Sequence, residues 1–145
     1  MKTMKFYLIA LVSVLVLPAC AERDRVITMN DLPTNAQEFL KKFSHKKIAL
    51  IKMEREGLSK EYDVVFTDGS NIEFNANGNW KEINNHRSAL PENIIPAQIK
   101  DFVKANYPGT TIVQIGRSRH HYEVELSIKL DIKFDTKFRV KDIDD

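Results

Sequence analysis

Cysteine is almost absent from this chain of 145 residues: the only one is Cys20, close to the N-terminus. A single thiol cannot form an internal disulfide, so the folded part must be held together by an adequate apolar core. The sequence also has no G-x-S-x-G, P-loop or G-x-G-x-x-G motif. It therefore gives no support to a nucleophile-elbow hydrolase, a P-loop nucleotide hydrolase or a dinucleotide-binding enzyme.

Long apolar runs are also scarce, and the apolar stretch between Lys5 and Pro18, Phe6 to Leu17, comprises 12 residues. A membrane span needs roughly 20 residues, so this run is too short to cross a bilayer. Lys2 and Lys5 precede it and small residues follow it, which is the pattern of an export signal. Residues 1–21 are therefore predicted to be a signal peptide, and the protein to act in the periplasm or cell envelope.

Two processing routes fit the end of this signal. Ala19, Cys20 and Ala21 form an A-x-A site for ordinary signal peptidase, which would release a soluble protein. The segment from Leu17 to Cys20 also resembles a lipobox, in which Cys20 would be lipidated and would anchor the domain to a membrane. Pro18 is unusual at its lipobox position, which favours soluble release.

An excess of positive charge is missing once the signal is set aside. The chain has 22 Lys and Arg against 20 Asp and Glu, and residues 1–21 contain two lysines and no acid. The remainder is therefore near neutral, which argues against nucleic acid as a partner.

Two amphipathic helices are predicted, over residues 32–43 and 94–109. In the first, Thr34 is a candidate N-cap with Gln37 three residues later, and apolar residues recur at helical spacing. The second has Pro96 near its start and Gly109 at its end, which is the usual asymmetry of helix termini.

Each helix is followed by four short β-rich runs separated by turn residues, which predicts antiparallel meanders. If residues that face each other share a side of the sheet, the first tight loop must have an odd number of residues, and a three-residue loop 67–69 satisfies this. The same argument favours 76–78 as the next loop over a two-residue Asn-Gly turn, which would pair Phe74 with Lys81. Gly69 and Gly78 then take the left-handed position of each loop, and Trp80 lies opposite Phe74.

The two halves of the chain correspond in position. Tyr62, Ile72, Phe74 and Ile83 reappear as Tyr122, Ile132, Phe134 and Ile143, each 60 residues later. This predicts an α+β fold made by tandem duplication of a helix plus a four-stranded antiparallel meander, with helices on one face of the sheet and the opposite face open. The predicted repeats are residues 22–87 and 88–145, joined into one compact domain.

Titratable side chains form no recognisable catalytic or metal-binding pattern. His120 and His121 are neighbours on a predicted strand, so their side chains point to opposite faces and cannot chelate one ion together. His45 and His86 lie in connectors without carboxylates or thiols at ligand spacing. We expect no catalytic residues, no metal, no cofactor and no enzymatic activity.

Aromatic and tip residues are the candidate binding residues. Tyr62, Trp80 and Tyr122 could line a common surface, and Trp80 lies close to the expected junction of the two halves. His121 is a further candidate binding residue. The opposite face is expected to carry mixed charge, from Asp63, Glu73, Lys81, His121, Glu123, Glu125 and Lys133. A broad face of this kind suits a protein or peptide better than a small molecule.

Three stretches, "LP..AQ.F" from residue 32, "YDVVFTDGSNIEFNANGNWKEI" from residue 62 and "LPENIIPAQIKDFVKANYPGTTIVQI" from residue 90, resemble the PepSY-like, β-lactamase-inhibitor-like family of small exported bacterial proteins. The resemblance implies a fold similar to the β-lactamase inhibitor protein, with helices behind an antiparallel sheet whose concave face is open. It supplies no catalytic residues, and the inhibitor label rests on fold similarity, which does not imply function.

The second half departs from the family pattern at its turns. Ile128-Lys129 and Lys137-Phe138 replace Asp68-Gly69 and Asn77-Gly78. Because non-glycine residues are strained in the left-handed region, the C-terminal hairpins are expected to differ in shape and to expose Ile128 and Phe138 at their tips.

Taken together, these features predict a non-enzymatic binding protein of the cell envelope that recognises a protein or peptide through the open sheet face. Inhibition of a protease or another hydrolase is one form that this activity could take. The alternative is a periplasmic carrier of a small ligand or cell-wall fragment, which would require an enclosed apolar pocket.

Overall fold

A single antiparallel sheet of nine strands, in the order in which they follow along the chain, is the framework of the computed structural model, which describes residues 24–145. The strands are β1 Asp24–Val26, β2 Ile48–Glu56, β3 Ser59–Phe66, β4 Asn71–Asn75, β5 Trp80–Asn84, β6 Ile112–Arg117, β7 His121–Leu126, β8 Asp131–Asp135 and β9 Val140–Asp144. Two α-helices, α1 Thr34–Leu40 and α2 Ala97–Asn106, and 3₁₀ turns at Met29–Asp31 and Lys41–Phe43 complete it. The fold is therefore α+β, with an open sheet.

The predicted signal, residues 1–21, and its Cys20 lie outside the residues that the structure describes. Among residues 24–145, neither helix has the length and apolar character needed to span a membrane.

One row of β-branched side chains runs across the sheet on the side of the helices. Its members, each opposite the next in the strand register, are Ile51, Val64, Ile72, Ile83, Ile115, Val124, Ile132 and Ile143. All but Ile143 are buried. Such side chains favour strands and pack well against cross-strand neighbours, so this row ties β2 to β9 into one core.

Both helices pack against this same side. The Phe39 ring of α1 meets Phe74 edge-on at 5.9 Å, and the Phe102 ring of α2 meets Phe134 in the same way at 5.4 Å. Phe74 and Phe134 are both fully buried. The prediction of helices on one side of an antiparallel sheet is confirmed, and the other side carries no helix among the described residues.

The predicted cap of the first helix is wrong. Thr34 is the first helical residue, and Pro33 is the N-cap without a side-chain hydrogen bond. Gln37 instead donates from Nε2 to the carbonyl of Leu32 at 2.8 Å, so it stabilises the preceding turn. The reason is that Pro33, whose ring fixes its φ, is already suited to the start of a helix.

The hairpins of the first half follow the predicted register. The Phe66 amide donates to the Ser70 carbonyl at 2.9 Å, which leaves 67–69 as a three-residue loop, and Gly69 has φ +86°. The next loop is 76–78 with Gly78 at φ +81°, and Trp80 lies opposite Phe74 after a bulge.

The hairpins of the second half have the same geometry, so the expectation that they differ in shape is wrong. Their pairings, Tyr122 with Phe134 and Phe134 with Val140, repeat those found 60 residues earlier. Lys129 and Phe138 adopt φ of 66° and 60°, where the first half has glycine. Non-glycine residues accept this conformation at about 1–2 kcal/mol each, because strand pairing on both sides fixes the loop length.

The two tip residues have different surroundings. Ile128 is 57% exposed, as expected from the sequence. Phe138 is half-buried instead, because its ring packs on Tyr122 with centroids 5.3 Å apart. The expectation that Phe138 is exposed at a tip is therefore wrong, and its contact with Tyr122 offsets part of the backbone strain.

A polar cluster fastens the 67–69 loop to the connector after β5. Lys46 donates from Nζ to Asp68 and Ser70 at 2.7 and 2.9 Å and also to Asn85. The hydrogen bond from Lys46, the hydrogen bonds that the hydroxyl and amide of Ser70 donate to Asp68, and the charge of Lys46 hold the pKa of Asp68 well below its ordinary value. A largely buried lysine is tolerated only with such partners, so the cluster is structural.

Gly78 offers a test of this packing. Its φ is positive, and a Cβ there would lie 2.8 Å from Pro33 Cβ and 2.9 Å from the Ala36 nitrogen of α1. We expect Gly78→Ala to lower the free energy of unfolding by about 2–4 kcal/mol, which combines backbone strain with overpacking. The matched control is Gly57→Ala, which has φ +63° but open space around it and should lose only about 1 kcal/mol. Equal losses in urea denaturation would contradict the docking of α1 on this hairpin.

Candidate binding face

The side of the sheet without helices, here called the open face, is crossed by a row of mainly charged residues. In register order these are Lys52, Asp63, Glu73, Glu82, Gly116, Glu123, Lys133 and Asp142. Side chains alternate along each strand, so burial of the β-branched row on the helix side places these residues on the other. They form the candidate functional site.

Acids predominate at the centre of the open face. Glu73 lies directly opposite Glu82, and Glu123 faces Glu82 across the position of Gly116. Like charges that face each other on adjacent strands destabilise a sheet. The sequence predicts mixed charge here, whereas the central strands bring glutamates together.

The environment of these glutamates opposes their ionisation. Partial burial raises the pKa of Glu73, and the neighbouring Glu82 and Asp63 raise it further. Partial burial and then Glu123 raise the pKa of Glu82, to which Gln114 donates a hydrogen bond from Nε2 at 2.8 Å. The pKa of Asp131, on β8, is raised likewise by burial and then by Glu125. At neutral pH the face concentrates negative charge that a cationic group would stabilise.

Gly116 lies at the middle of this face and contributes no side chain. A shallow depression of about 310 Å³ surrounds it. Its lining includes Glu73, Lys81, Glu82, Gln114, Ser118, His121, Glu123, Glu125 and Asp131. The nearest atom to a Cβ built at Gly116 would be the Lys81 carbonyl oxygen at 3.9 Å, so the backbone does not require glycine here. The missing side chain keeps the centre of the face accessible.

Two of the predicted binding residues lie on the wrong side for this face. Tyr62 and Trp80 belong to the helix side of the sheet and are each 8% exposed. Trp80 is covered by Phe39 on one side, with ring centroids 6.3 Å apart. The idea of Trp80 and Tyr122 at the centre of the open face is wrong, because both face the same side as Phe74 and Phe134.

Trp80 instead holds the junction between β5 and β6. The Arg117 guanidinium stacks on its ring at 3.7 Å, and Arg117 Nε donates to its carbonyl at 2.8 Å. A cation over an indole ring and a charged hydrogen bond together stabilise this junction. The large apolar ring of Trp80 suggested a binding residue from the sequence, but the alternation of side chains along β5 places that ring in the core.

Of the remaining predicted residues, only His121 lies on the open face. Tyr122 and Phe138 stack together on the helix side, and Ile128 lies at the tip between β7 and β8. His121 Nδ1 lies 2.9 Å from Ser118 Oγ, which also accepts hydrogen bonds from the His120 and His121 amides. This serine closes a turn, and among residues 24–145 no carboxylate is hydrogen-bonded to the His121 ring to orient it as a catalytic base would require.

Within residues 24–145, no group of three His, Cys, Asp or Glu side chains is arranged to hold a metal ion. The acids of the open face are spread along a row rather than convergent. What this arrangement can do chemically is bind positive charge over an extended surface.

Comparisons with known proteins agree with this geometry. The family model described as "Putative beta-lactamase-inhibitor-like, PepSY-like" matches residues 60–142. This chain belongs to the PepSY-like family. No curated protein matches it.

Solved structures similar to this PepSY-like chain cover most of its length. A crystal structure of a "putative periplasmic protein" of the DUF2874 family from Bacteroides vulgatus has 44% identity and a TM-score of 0.83, covering 86% of this chain and 99% of its own. A "putative calcium-regulated periplasmic protein" from Bacteroides thetaiotaomicron has 43% identity and a TM-score of 0.83, with the same coverages. A third, of unknown function from Bacteroides vulgatus, has 38% identity and a TM-score of 0.80, covering 84% and 99%. Like these, the PepSY-like chain is an exported, periplasmic protein.

Sequence reasoning missed Glu82 and Gly116 as members of the PepSY-like open face. Both lie at the junction, where Glu82 faces Gly116 across β5 and β6. The signal that could have found them is alternation: Ile83 and Ile115 point inward, so their neighbours must point outward. The pairing of β5 with β6 across a long connector was needed to bring them together.

The role of Trp80 in this PepSY-like chain can be tested directly. We expect Trp80→Ala to lower the free energy of unfolding by about 3–5 kcal/mol, because it removes a buried ring from the junction. Trp80→Phe keeps part of that packing and should lose clearly less in the same urea titrations. An Ala variant as stable as the wild type would mean that the ring is not a core element.

The charge of Glu82 should affect the stability of the fold in a pH-dependent way. Its raised pKa means that the folded state binds the proton more tightly than the unfolded state, so ionised Glu82 opposes folding above this pKa. At pH 7 we expect Glu82→Gln to raise the free energy of unfolding by about 0.5 kcal/mol, because it removes the cost of burying this charge and the repulsion from Glu123. The gain should disappear as the pH falls through and below the ordinary value of 4.5, where the wild-type carboxyl is protonated.

Thermal denaturation followed at pH 7 and at acid pH measures this difference. Glu92→Gln, at an exposed glutamate away from the open face, is the matched control and should change stability little at either pH. Loss of stability in Glu82→Gln at pH 7 would contradict the assignment of repulsion at the centre of the face.

Proposed function

We propose that this protein is a non-enzymatic periplasmic binding protein whose open face recognises a protein or peptide that carries basic side chains. The observation that supports this most strongly is the direct apposition of Glu73 and Glu82, with Glu123 on the far side of Gly116 in the same row. Such repulsion lowers stability, and departures from local rules of this kind are expected at functional surfaces.

The dimensions of the face favour a macromolecular partner. Six strand spacings separate Asp63 on β3 from Asp142 on β9, a span of roughly 29 Å at about 4.8 Å per strand. The depression around Gly116 is shallow and lined largely by charged and polar groups. Stable protein interfaces need a broad surface of this extent, whereas small molecules are usually held in concave, mostly apolar pockets.

Electrostatics defines the chemistry of the partner. Lys81 and Lys133 pair with Glu61 and Glu123, which leaves Glu73 and Glu82 without a lysine salt bridge among the described residues. Lysine or arginine side chains of a partner would remove this repulsion and form charge-assisted hydrogen bonds. Inhibition of a protease or other hydrolase is one form of such binding, because a strip of acids can occupy a basic surface near an active site.

The alternative, a carrier of a small ligand or cell-wall fragment, has less support. The helix-side depression bounded by Met29, Leu40, Phe43, Ile48 and Phe66 is apolar, but it opens to solvent. A carrier would enclose its ligand more completely.

Calcium could act on the same face. The Bacteroides thetaiotaomicron relative carries the description "putative calcium-regulated periplasmic protein", and divalent cations are attracted to carboxylate oxygens. Because no three acids converge within residues 24–145, we propose that calcium would compete with a basic partner as a counterion. Partner experiments should therefore be done with and without added calcium.

We also propose that the sheet arose by tandem duplication of a helix and a four-stranded meander, residues 22–87 and 88–145. Supporting this are the pairings of β3, β4 and β5, which recur in β7, β8 and β9 at an offset of 60. Under this proposal, Glu73 and Lys133 are equivalent positions with opposite charge, so the two halves of the open face have diverged.

The test is capture of partners by crosslinking in native envelopes. Wild-type protein should recover a basic partner whose yield falls as salt increases, because exposed charge interactions are screened. The double variant Glu82→Gln and Glu123→Gln should reduce that yield by about tenfold. Each substitution removes one charge-assisted hydrogen bond, and two such bonds at about 0.7 kcal/mol each account for that factor.

The matched control is Glu38→Gln with Glu92→Gln, which removes two exposed acids away from the open face. It should leave capture unchanged. Equal loss in both double variants would point to net charge alone, and no loss in either would contradict recognition through the open face.

A further inference from the structure

The last strand, β9, exposes two apolar side chains whose counterparts in the first half are buried. Ile143 is 45% exposed, whereas Ile83, 60 residues earlier, is 1% exposed. Val140 is 38% exposed, whereas Trp80 is 8% exposed. Ile143 and Val140 both face the helix side, because they pair with Ile132 and Phe134.

The difference in exposure arises at the outer edges of β5 and β9. The outer edge of β5 is covered by β6, which places Ile115 directly opposite Ile83. In the part of the chain that the structure describes, β9 is the end of the sheet and no strand pairs with its outer edge. An edge of this kind presents unpaired backbone donors and acceptors, and it is a template for another strand.

The pairing of β5 with β6 shows what such a strand would have to look like. The two strands are antiparallel, and Ile115 lies opposite Ile83 on the inward side. On the outward side, Gln114 lies opposite Asn84, and Gly116 lies opposite Glu82. A strand that covered β9 in the same way would place an apolar residue opposite Ile143. The residues on either side of it would face Asp142 and Asp144.

Charge decides between a second copy and a different partner. In the antiparallel pairing of β9 with itself that sets Ile143 opposite Ile143 of the other copy, Asp142 and Asp144 would face each other across the interface, and like charges in that arrangement are destabilising. Asp131, in the neighbouring strand, adds negative charge beside Asp144, while Lys141 is the only base of β9. A basic strand is therefore favoured over self-association.

We propose that the outer edge of β9 is a strand-addition site for an extended segment of another protein in which apolar residues alternate with Lys or Arg. Backbone hydrogen bonds to the edge supply affinity, and the contacts with Val140 and Ile143 set the register. Asp142 and Asp144 select for basic residues at the outward positions. This goes beyond the proposed function, because the backbone edge and helix-side apolar residues form a surface separate from the central glutamates.

The probe is a fluorescent peptide of residues 110–118, "TTIVQIGRS", carrying Gln114→Lys and Gly116→Lys. Its counterpart carries Gln114→Glu and Gly116→Glu and has the same apolar residues. Titration with the purified protein, followed by fluorescence anisotropy, should show the lysine probe binding at least about tenfold more tightly, given two favourable against two unfavourable cross-strand pairs.

Reversing the charge of the edge supplies the decisive variant. Asp142→Lys with Asp144→Lys should invert the preference, so that the glutamate probe binds more tightly. Both residues are exposed, so circular dichroism should show an unchanged fold. The variant Glu82→Gln with Glu123→Gln should keep the preference for the lysine probe over the glutamate probe, because the edge keeps Asp142 and Asp144, and this separates the edge from the central glutamates of the open face.

Three results would overturn the proposal: equal binding of both probes, a preference that charge reversal leaves unchanged, or failure of the lysine probe to bind the wild-type protein. A dimer in sedimentation velocity that Ile143→Asp abolishes would assign the edge to a second copy of this chain instead.

Discussion

The contact between Ile83 and Ile115 is the constraint on which the rest of the structure depends, because it joins the two halves of the sheet into one. Both side chains are buried, and they complete a row of β-branched residues from β2 to β9. A four-stranded sheet with one helix would have a marginal core, and only the joined sheet buries this row on both sides of the junction. Trp80 and Arg117 reinforce the same place from the helix side.

The composition of the open face follows from the contact between Ile83 and Ile115, because side chains alternate between the two sides of the sheet along each strand. Once Ile83 and Ile115 point toward the helices, Glu82 and Gly116 must point away, and Glu82 then lies between Glu73 and Glu123. The register that stabilises the core thus brings acids together on the other side of the same strands. Burial of apolar surface outweighs the repulsion, which is worth only tenths of a kcal/mol for each pair at the surface.

Much of the fold could be predicted from local pattern. Alternation of apolar residues located the strands, and parity placed Gly69 and Gly78 in their loops and Trp80 opposite Phe74. Local rules failed where tertiary pairing overrides them: Lys129 and Phe138 adopt the conformation of the glycines they replace, since the strands fix the loops. The candidate site was harder, because its central residues meet only through the pairing of β5 with β6. Aromatic character pointed to Trp80 and Tyr122, which parity assigns to the helix side.

Binding of positive charge at the open face is tested most directly by an NMR titration of isotopically labelled protein with a tetralysine peptide. We expect amide signals to shift around Glu82, Gly116 and Glu123 in the sheet, with α1 and α2 unaffected, and the shifts to vanish at high salt. Shifts concentrated on the helices, with those three positions silent, would contradict recognition through the open face.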